Sequence, residues 1–228
     1  MATPVVLVHG WGGSFATTWQ SSGFTHLLAD AGRPLIGVDL LGHGEAPKPH
    51  DPNEYADLGA RVLAALPDEP VDAIGFSLGA ITLLHLATAT PERFRRLVLA
   101  GIGATLFDDD STGTERIINA LEGSGDPDDN IGRMFVNYAR QPGNDLAALT
   151  AVMRRPRGPR FTHERLAGVS CPTLVVIGDR DFAGPGDELA AAIPGAKLVT
   201  LRNVDHFATP EAFGFIDAAL EFIDAVPA

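Results

Sequence analysis

The stretch Ile74-Gly75-Phe76-Ser77-Leu78-Gly79-Ala80 joins an apolar run, Val71–Phe76, to a helical pattern over Ala80–Thr90 that carries Leu83, Leu84 and Ala87 on one face. A strand that turns straight into a helix around Gly-x-Ser-x-Gly must hold its serine in strained dihedrals. Side chains two residues to either side have to be absent; glycine at 75 and 79 meets that need, and the serine hydroxyl projects at the head of the helix. Five more runs rich in Val, Ile and Leu flank this junction: Pro4–Val8, Pro34–Val38, Arg96–Ala100, Thr173–Ile177 and Ala196–Leu201. Most are continuous rather than alternating, as for strands buried on both faces of a parallel sheet. Helical patterns separate most of them. They include Glu54–Leu66, with Leu58, Val62, Leu63 and Leu66, and Pro210–Val226, where Ala212, Phe213, Ile216, Ala219, Leu220 and Ile223 recur at amphipathic spacing. The repeated alternation predicts an α/β protein with a doubly wound, mainly parallel six-stranded sheet and helices on both faces.

Residues 105–170 break the alternation, and so long a connection between the fourth and fifth strands reads as an inserted, mainly helical cap. The expected division is therefore a core of residues 1–104 and 171–228 with a cap of residues 105–170. Ile117–Leu121 and Ile131–Ala139 look like short helices in it, joined by the turn-rich Gly123–Asn130. Its charge is lopsided. Asp108, Asp109, Asp110, Glu115, Glu122, Asp126, Asp128 and Asp129 precede a half that holds Arg133, Arg140, Arg154, Arg155, Arg157, Arg160 and Arg165.

The chain has 228 residues, 45% apolar and 20% charged, which fits one globular domain without disulfide or metal staples. A formal charge of −12 argues against nucleic acid or anionic membrane as partner. No run of 18 apolar residues is present, and the start of the chain has no basic n-region, so neither a membrane span nor a signal peptide is expected. One cysteine, Cys171, rules out an internal disulfide, and a cytoplasmic home follows as the expectation. Basicity carried almost wholly by arginine, with abundant alanine, looks bacterial.

A serine hydroxyl is a poor nucleophile until a base takes its proton, and the base needs a third group to orient it. The fifth strand runs into Gly178-Asp179-Arg180-Asp181, and the sixth is followed by Asn203-Val204-Asp205-His206-Phe207. Acid and histidine thus fall at the same edge of the sheet as Ser77, in the chain order Ser, Asp, His.

These features resemble the α/β-hydrolase fold superfamily over nearly the whole chain outside the cap. His9-Gly10-Trp11-Gly12-Gly13 resembles its His-Gly oxyanion loop, and Asp39-Leu40-Leu41-Gly42-His43-Gly44 its Asp-x-x-Gly-His-Gly loop. Gly75–Gly79 and Gly178–Asp181 with His206 complete the set. The resemblance implies Ser77 as nucleophile, His206 as general base and Asp181 as the acid, with Asp179 as the alternative; Asp205, beside His206, would point elsewhere. It also implies an oxyanion hole made by the backbone N–H groups of Trp11 and Leu78. Relatives usually open with two further antiparallel strands. Here the His-Gly strand begins at residue 4, so six parallel strands in the order 2-1-3-4-5-6 are expected, with Pro34–Val38 at an edge. That edge needs protection or a second subunit, making the chain a monomer or a homodimer.

Serine at the nucleophile position excludes the family branches that use aspartate there. What is implied is hydrolysis of a carboxylic ester, thioester or lactone, a small-molecule acyl substrate, through an acyl-enzyme and without cofactor. The alternatives are a cofactor-free lyase or C–C bond hydrolase on the same triad, and a hydrolase-fold ligand receptor with little turnover. Phe107, Phe135, Met153 and Phe207 are candidates for the substrate pocket. His9, His43 and His85 read as structural. No histidine pair has metal-site spacing with a carboxylate, and three adjacent acids at Asp108–Asp110 lack a calcium-loop pattern, so no metal is expected. Arg154, Arg155, Arg157 and Arg160 read first as a solvated loop, with selection of an acidic substrate as the sharper alternative.

Overall fold

The computed structural model of the protein describes residues 2–108 and 112–227. Its strands are β1 (Val5–Val8), β2 (Leu35–Val38), β3 (Val71–Phe76), β4 (Phe94–Ala100), β5 (Thr173–Gly178) and β6 (Lys197–Leu201). They form one sheet in the order β2-β1-β3-β4-β5-β6, parallel throughout, as expected. The helices are α1 (Phe24–Asp30), α2 (Gly59–Ala65), α3 (Leu78–Ala89), α4 (Thr112–Leu121), α5 (Asn130–Ala139), α6 (Leu146–Met153), α7 (His163–Leu166), α8 (Asp187–Ala192) and α9 (Phe213–Phe222).

Successive strand residues point to opposite faces, so a strand buried on both sides feeds two cores. Val5 and Leu7, Ile74 and Phe76, and Val98 and Ala100 join Trp19, Phe24, Leu28, Phe215 and Leu220 under α1 and α9. Val6 and Val8, Val71 and Ala73, and Leu97 and Leu99 join Val62, Leu83, Leu84 and Leu189 under α2, α3 and α8. The helices therefore cover both faces. Leu121, Phe135, Ala139, Leu149 and Val152, from the long connection between β4 and β5, belong to this second core as well.

From β1 the chain steps sideways to β2, then crosses back to place β3 on the other side of β1. That reversal makes the carboxyl ends of β1 and β3 a topological switch point, the place where doubly wound sheets bind ligands. The opposite end of β3 is closed by charge. Asp72, fully buried, receives guanidinium groups from Arg33 and Arg95, while Arg33 also donates to the carbonyls of Thr3 at 2.9 Å and Ile223 at 2.7 Å. Both Asp72 oxygens accept from a guanidinium group, which is the condition for keeping a carboxylate in the interior.

Two predicted helices need correction. Glu54–Leu66 is broken into a short turn at Pro52–Tyr55 and α2. Tyr55 is pulled into the core with its hydroxyl on the Pro49 carbonyl, and the Asp57 carboxylate caps the Ala60 N–H at 3.1 Å, restarting the helix. Pro210–Val226 likewise begins as a single turn, with α9 proper starting at Phe213. At that first helical position Phe213 faces solvent, 84% exposed, and Phe215 takes the core place assigned to it. Helices α1, α6, α7 and α8 were not among the predicted elements. Asp109 and Asp110 of the acidic run lie outside the described residues. Among the described residues, no helix is long and apolar enough to cross a membrane.

Candidate active site

Ser77 sits between β3 and α3 with φ 50° and ψ −114°, a conformation that L-residues avoid. The surroundings hold it there. Its N–H donates to the Ala100 carbonyl of β4 at 2.8 Å, and both flanking glycines lie against backbone. A Cβ on Gly75 would stand 2.7 Å from the Ala80 nitrogen, and one on Gly79 only 2.3 Å from the Val8 carbonyl oxygen. The strand, the turn and the helix can approach this closely only without those two side chains.

His206, on the loop after β6, is 4% exposed, and Asp181, after β5, is 8% exposed. The His206 Nδ1 lies 2.9 Å from each Asp181 carboxylate oxygen, so Nδ1 carries the proton. Nε2 is then the acceptor that faces Ser77 Oγ, also at 2.9 Å. Asp181 is fixed in turn by the Ala183 N–H at 2.8 Å. Asp179 is exposed and accepts from the Asn203 N–H at 2.7 Å, while Asp205 caps the Ala208 N–H at 3.0 Å. Of the three acids weighed as its partner, only Asp181 reaches the His206 ring.

Two backbone N–H groups stand at the same edge of the sheet as Ser77. Leu78 is the first residue of α3, and Trp11 lies in a tight turn after β1 in which the Gly13 N–H donates to the Gly10 carbonyl at 3.1 Å and Gly12 has φ 74°. This is the pattern of a type II turn. Among the described residues, neither the Trp11 nor the Leu78 N–H is donated to a protein acceptor. The turn lies against Ser77: a Cβ on Gly10 would be 3.3 Å from that of Ser77.

The profile of the alpha/beta hydrolase family matches residues 5–223. The protein is a member of the alpha/beta hydrolase family. Among its relatives, the pimeloyl-[acyl-carrier protein] methyl ester esterase of Neisseria meningitidis serogroup A is 29% identical, over 89% of this chain and 70% of its own. A 2-hydroxy-6-oxononadienedioate/2-hydroxy-6-oxononatrienedioate hydrolase of Klebsiella pneumoniae is 28% identical over 96% of this chain and 86% of its own. Among solved structures, a hydrolase from Pseudomonas aeruginosa superposes with a TM-score of 0.74 at 26% identity, covering 97% of this chain and 90% of that one.

Around the histidine, this alpha/beta hydrolase builds an aromatic enclosure. The His206 ring lies 4.4 Å from that of Phe182, 5.0 Å from Phe76 and 5.4 Å from Phe207. Phe135 bridges outward, 5.6 Å from Phe207 and 5.3 Å from Trp11, and Tyr138 stands 5.1 Å from Phe207. Two of the four pocket candidates, Phe135 and Phe207, therefore come together at the site. The other two do not join this enclosure: Phe107 stacks on His163 at 5.2 Å, and Met153 lines a separate cleft of about 450 Å³ with Arg154, Arg155 and Arg157. Phe182 and Tyr138 were missed. Phe182 directly follows Asp181, and Tyr138 lies three residues after Phe135 on one helix face, a spacing that could have found it.

His9, His43 and His85 are held in contacts apart from the Ser77–His206 pair. His9 donates from Nδ1 to the Gly10 carbonyl at 2.7 Å and accepts the Leu40 N–H at 3.1 Å, joining the two Gly-rich loops. His85 faces the Arg165 guanidinium at 3.0 Å and stacks on Phe161 at 4.3 Å; burial, followed by the charge of Arg165, pushes its pKa down to about 4. Of the arginine cluster, Arg154 pairs with Glu122 at 2.5 Å, and Arg155 donates to the Val152 carbonyl at 2.7 Å.

His43 is fully buried, with Nδ1 on the Leu41 carbonyl at 3.0 Å, and burial, then the nearby His9, pushes its pKa down to about 3. The unfolded chain takes up this proton below the ordinary value of 6.5, whereas the folded protein does so only near 3. Stability is therefore complete above that ordinary value and declines as the pH falls below it, by up to about 1.4 kcal/mol per pH unit for this one group. Urea midpoints measured between about pH 7.5 and 5 are expected to fall in this way. In His43→Gln the acid-side slope should shrink by about one proton; an unchanged slope would refute the assignment.

Proposed function

We propose that this alpha/beta hydrolase cleaves a small or medium carboxylic ester through an acyl-enzyme on Ser77. The observation that carries the reading is the unbroken hydrogen-bonded line Asp181–His206–Ser77, with 2.9 Å at each step, beside two backbone N–H groups that find no protein acceptor among the described residues. In this reading His206 Nε2 takes the Ser77 proton as Oγ bonds to the substrate carbonyl carbon. The carbonyl oxygen, now negative, is held by the N–H groups of Trp11 and Leu78. Collapse expels the alkoxide, which leaves as the alcohol with the proton from His206. Water, deprotonated by the same nitrogen, then attacks the acyl group and releases the acid. Asp181 keeps Nδ1–H in place and stabilises the imidazolium formed in each half.

Residues 105–170 act as the cap in this scheme, with Phe135 and Tyr138 reaching down beside Phe182 and Phe207 to shelter an apolar acyl group. A thioester or lactone carbonyl would follow the same path. The single buried thiol, Cys171, suits a reducing compartment such as the cytoplasm.

A second reading, C–C bond hydrolysis on the same triad, is favoured by the relatives named as oxo-dienedioate and 2-hydroxymuconate semialdehyde hydrolases. Intact-mass labelling with a fluorophosphonate on wild type and Ser77→Ala tests both readings together, because each needs an activated serine. One adduct on wild type and none on the variant is expected; a folded wild type that stays unlabelled would overturn them and favour a ligand receptor. Turnover of simple esters against a vinylogous 1,5-diketone then separates the two.

A further inference from the structure

The loop that carries the Trp11 N–H has little rigidity of its own, since Gly10, Gly12 and Gly13 leave its backbone almost unrestrained. An oxyanion donor stabilises a transition state only if it is already aimed where charge develops. Something outside the loop must therefore hold it; His9 ties the Gly10 carbonyl, and three further ties come from the connection between β4 and β5. Asn144, in the turn between α5 and α6, donates from Nδ2 to the Gly12 carbonyl at 2.8 Å and reaches the Tyr138 carbonyl at 3.3 Å. The Gly12–Gly13 peptide is thus gripped at both ends, its N–H by Gly10 and its carbonyl by Asn144. The Trp11 indole donates to the Leu149 carbonyl of α6 at 3.0 Å. Tyr138 lies so close over the turn that a Cβ on Gly12 would be 2.8 Å from its ring.

We propose that Asn144 is a positioning residue: its amide clamps the Gly12 carbonyl and thereby sets the aim of the Trp11 N–H, so that the cap residues govern the rate of chemistry and not only which substrate enters. This rests on the reading of Trp11 as an oxyanion donor. The clamp needs a donor at Nδ2, which fixes what each substitution does. Asn144→Ala removes it, and Asn144→Asp replaces it with an acceptor that repels the Gly12 carbonyl.

The test compares an ester with the matching thionoester, whose C=S group accepts hydrogen bonds poorly, in wild type, Asn144→Ala, Asn144→Asp and Trp11→Phe, which cuts the Leu149 tie. For Asn144→Ala and Asn144→Asp, kcat for the ester should fall about 10- to 100-fold with KM within about twofold, because a misaimed donor costs somewhat less than a missing one. The ester-to-thionoester rate ratio should fall with it, and Trp11→Phe should shift the ratio in the same direction. Loss of folded enzyme would lower both rates equally and leave the ratio at its wild-type value, as would a purely structural role; either result overturns the proposal. The underlying reading fails separately. If wild type neither turns over the ester nor takes a fluorophosphonate at Ser77, both ideas fall, whereas normal wild-type turnover with unchanged Asn144 variants refutes the clamp alone.

Discussion

Ser77→Ala is expected to lower kcat on a short ester by about 100,000-fold or more, while leaving the protein folded. The Ser77 hydroxyl is the group that meets the acceptor nitrogen of His206, at 2.9 Å, and alanine offers no atom to form the acyl bond. Losses of about a million-fold follow removal of the nucleophile in comparable triads, leaving only what the oxyanion hole and binding supply. Stability should hardly change, since alanine inherits the same positive φ. Ser77→Gly gives a sharper check, because glycine accepts that backbone at no steric cost. It should be as inactive as alanine and more stable by roughly 1–2 kcal/mol in urea unfolding. Residual activity within tenfold of wild type in either variant would remove Ser77 from the mechanism.

Asp181→Asn should cost about 10,000-fold in kcat, for a reason that lies in proton placement rather than in charge alone. The carboxylate accepts from Nδ1–H and so leaves Nε2 as a bare acceptor toward Ser77. An amide NH2 in that place favours the other tautomer, which puts the proton on Nε2, where it can no longer take one from serine. Asp179→Asn, on an exposed side chain that caps Asn203, is expected to stay within about threefold of wild type. Steady-state kinetics on the two variants decides the matter; a reversed order of losses would transfer the role to Asp179.

The sheet and the elbow were legible because most strands carry near-continuous apolar runs, and Ser77, Asp181 and His206 each follow one directly or after a short loop. The order of the six strands came from the Ser, Asp, His sequence and its resemblance to a known fold rather than from any strand alone. What stayed hidden was short or discontinuous. Helix α1 starts after Gly23, which has φ 77° and makes no side-chain cap, so it lacks the usual start signal. Phe213 matched the amphipathic spacing, yet the helix begins there, and spacing cannot say where a periodic pattern becomes a helix. Within the candidate site, Phe135 and Phe207 could be named, but not which aromatics would meet them. Met153 and Phe107 share their composition and are turned elsewhere by α6 and by His163. Asn144 carried no sequence signal, since its effect depends on a contact 132 residues away with Gly12.

Leu121, Phe135, Leu149 and Val152 are buried in the same core as the strands beneath α3, so the connection between β4 and β5 and the sheet that carries Ser77 share one foundation. Evolution of new substrate preference in this chain is thereby tied to thermostability. In the proposed reading, a change that reshapes this connection for a bulkier acyl group also loosens the packing that supports Ser77. Directed evolution from this scaffold would advance fastest from variants first stabilised elsewhere, such as at exposed Phe213.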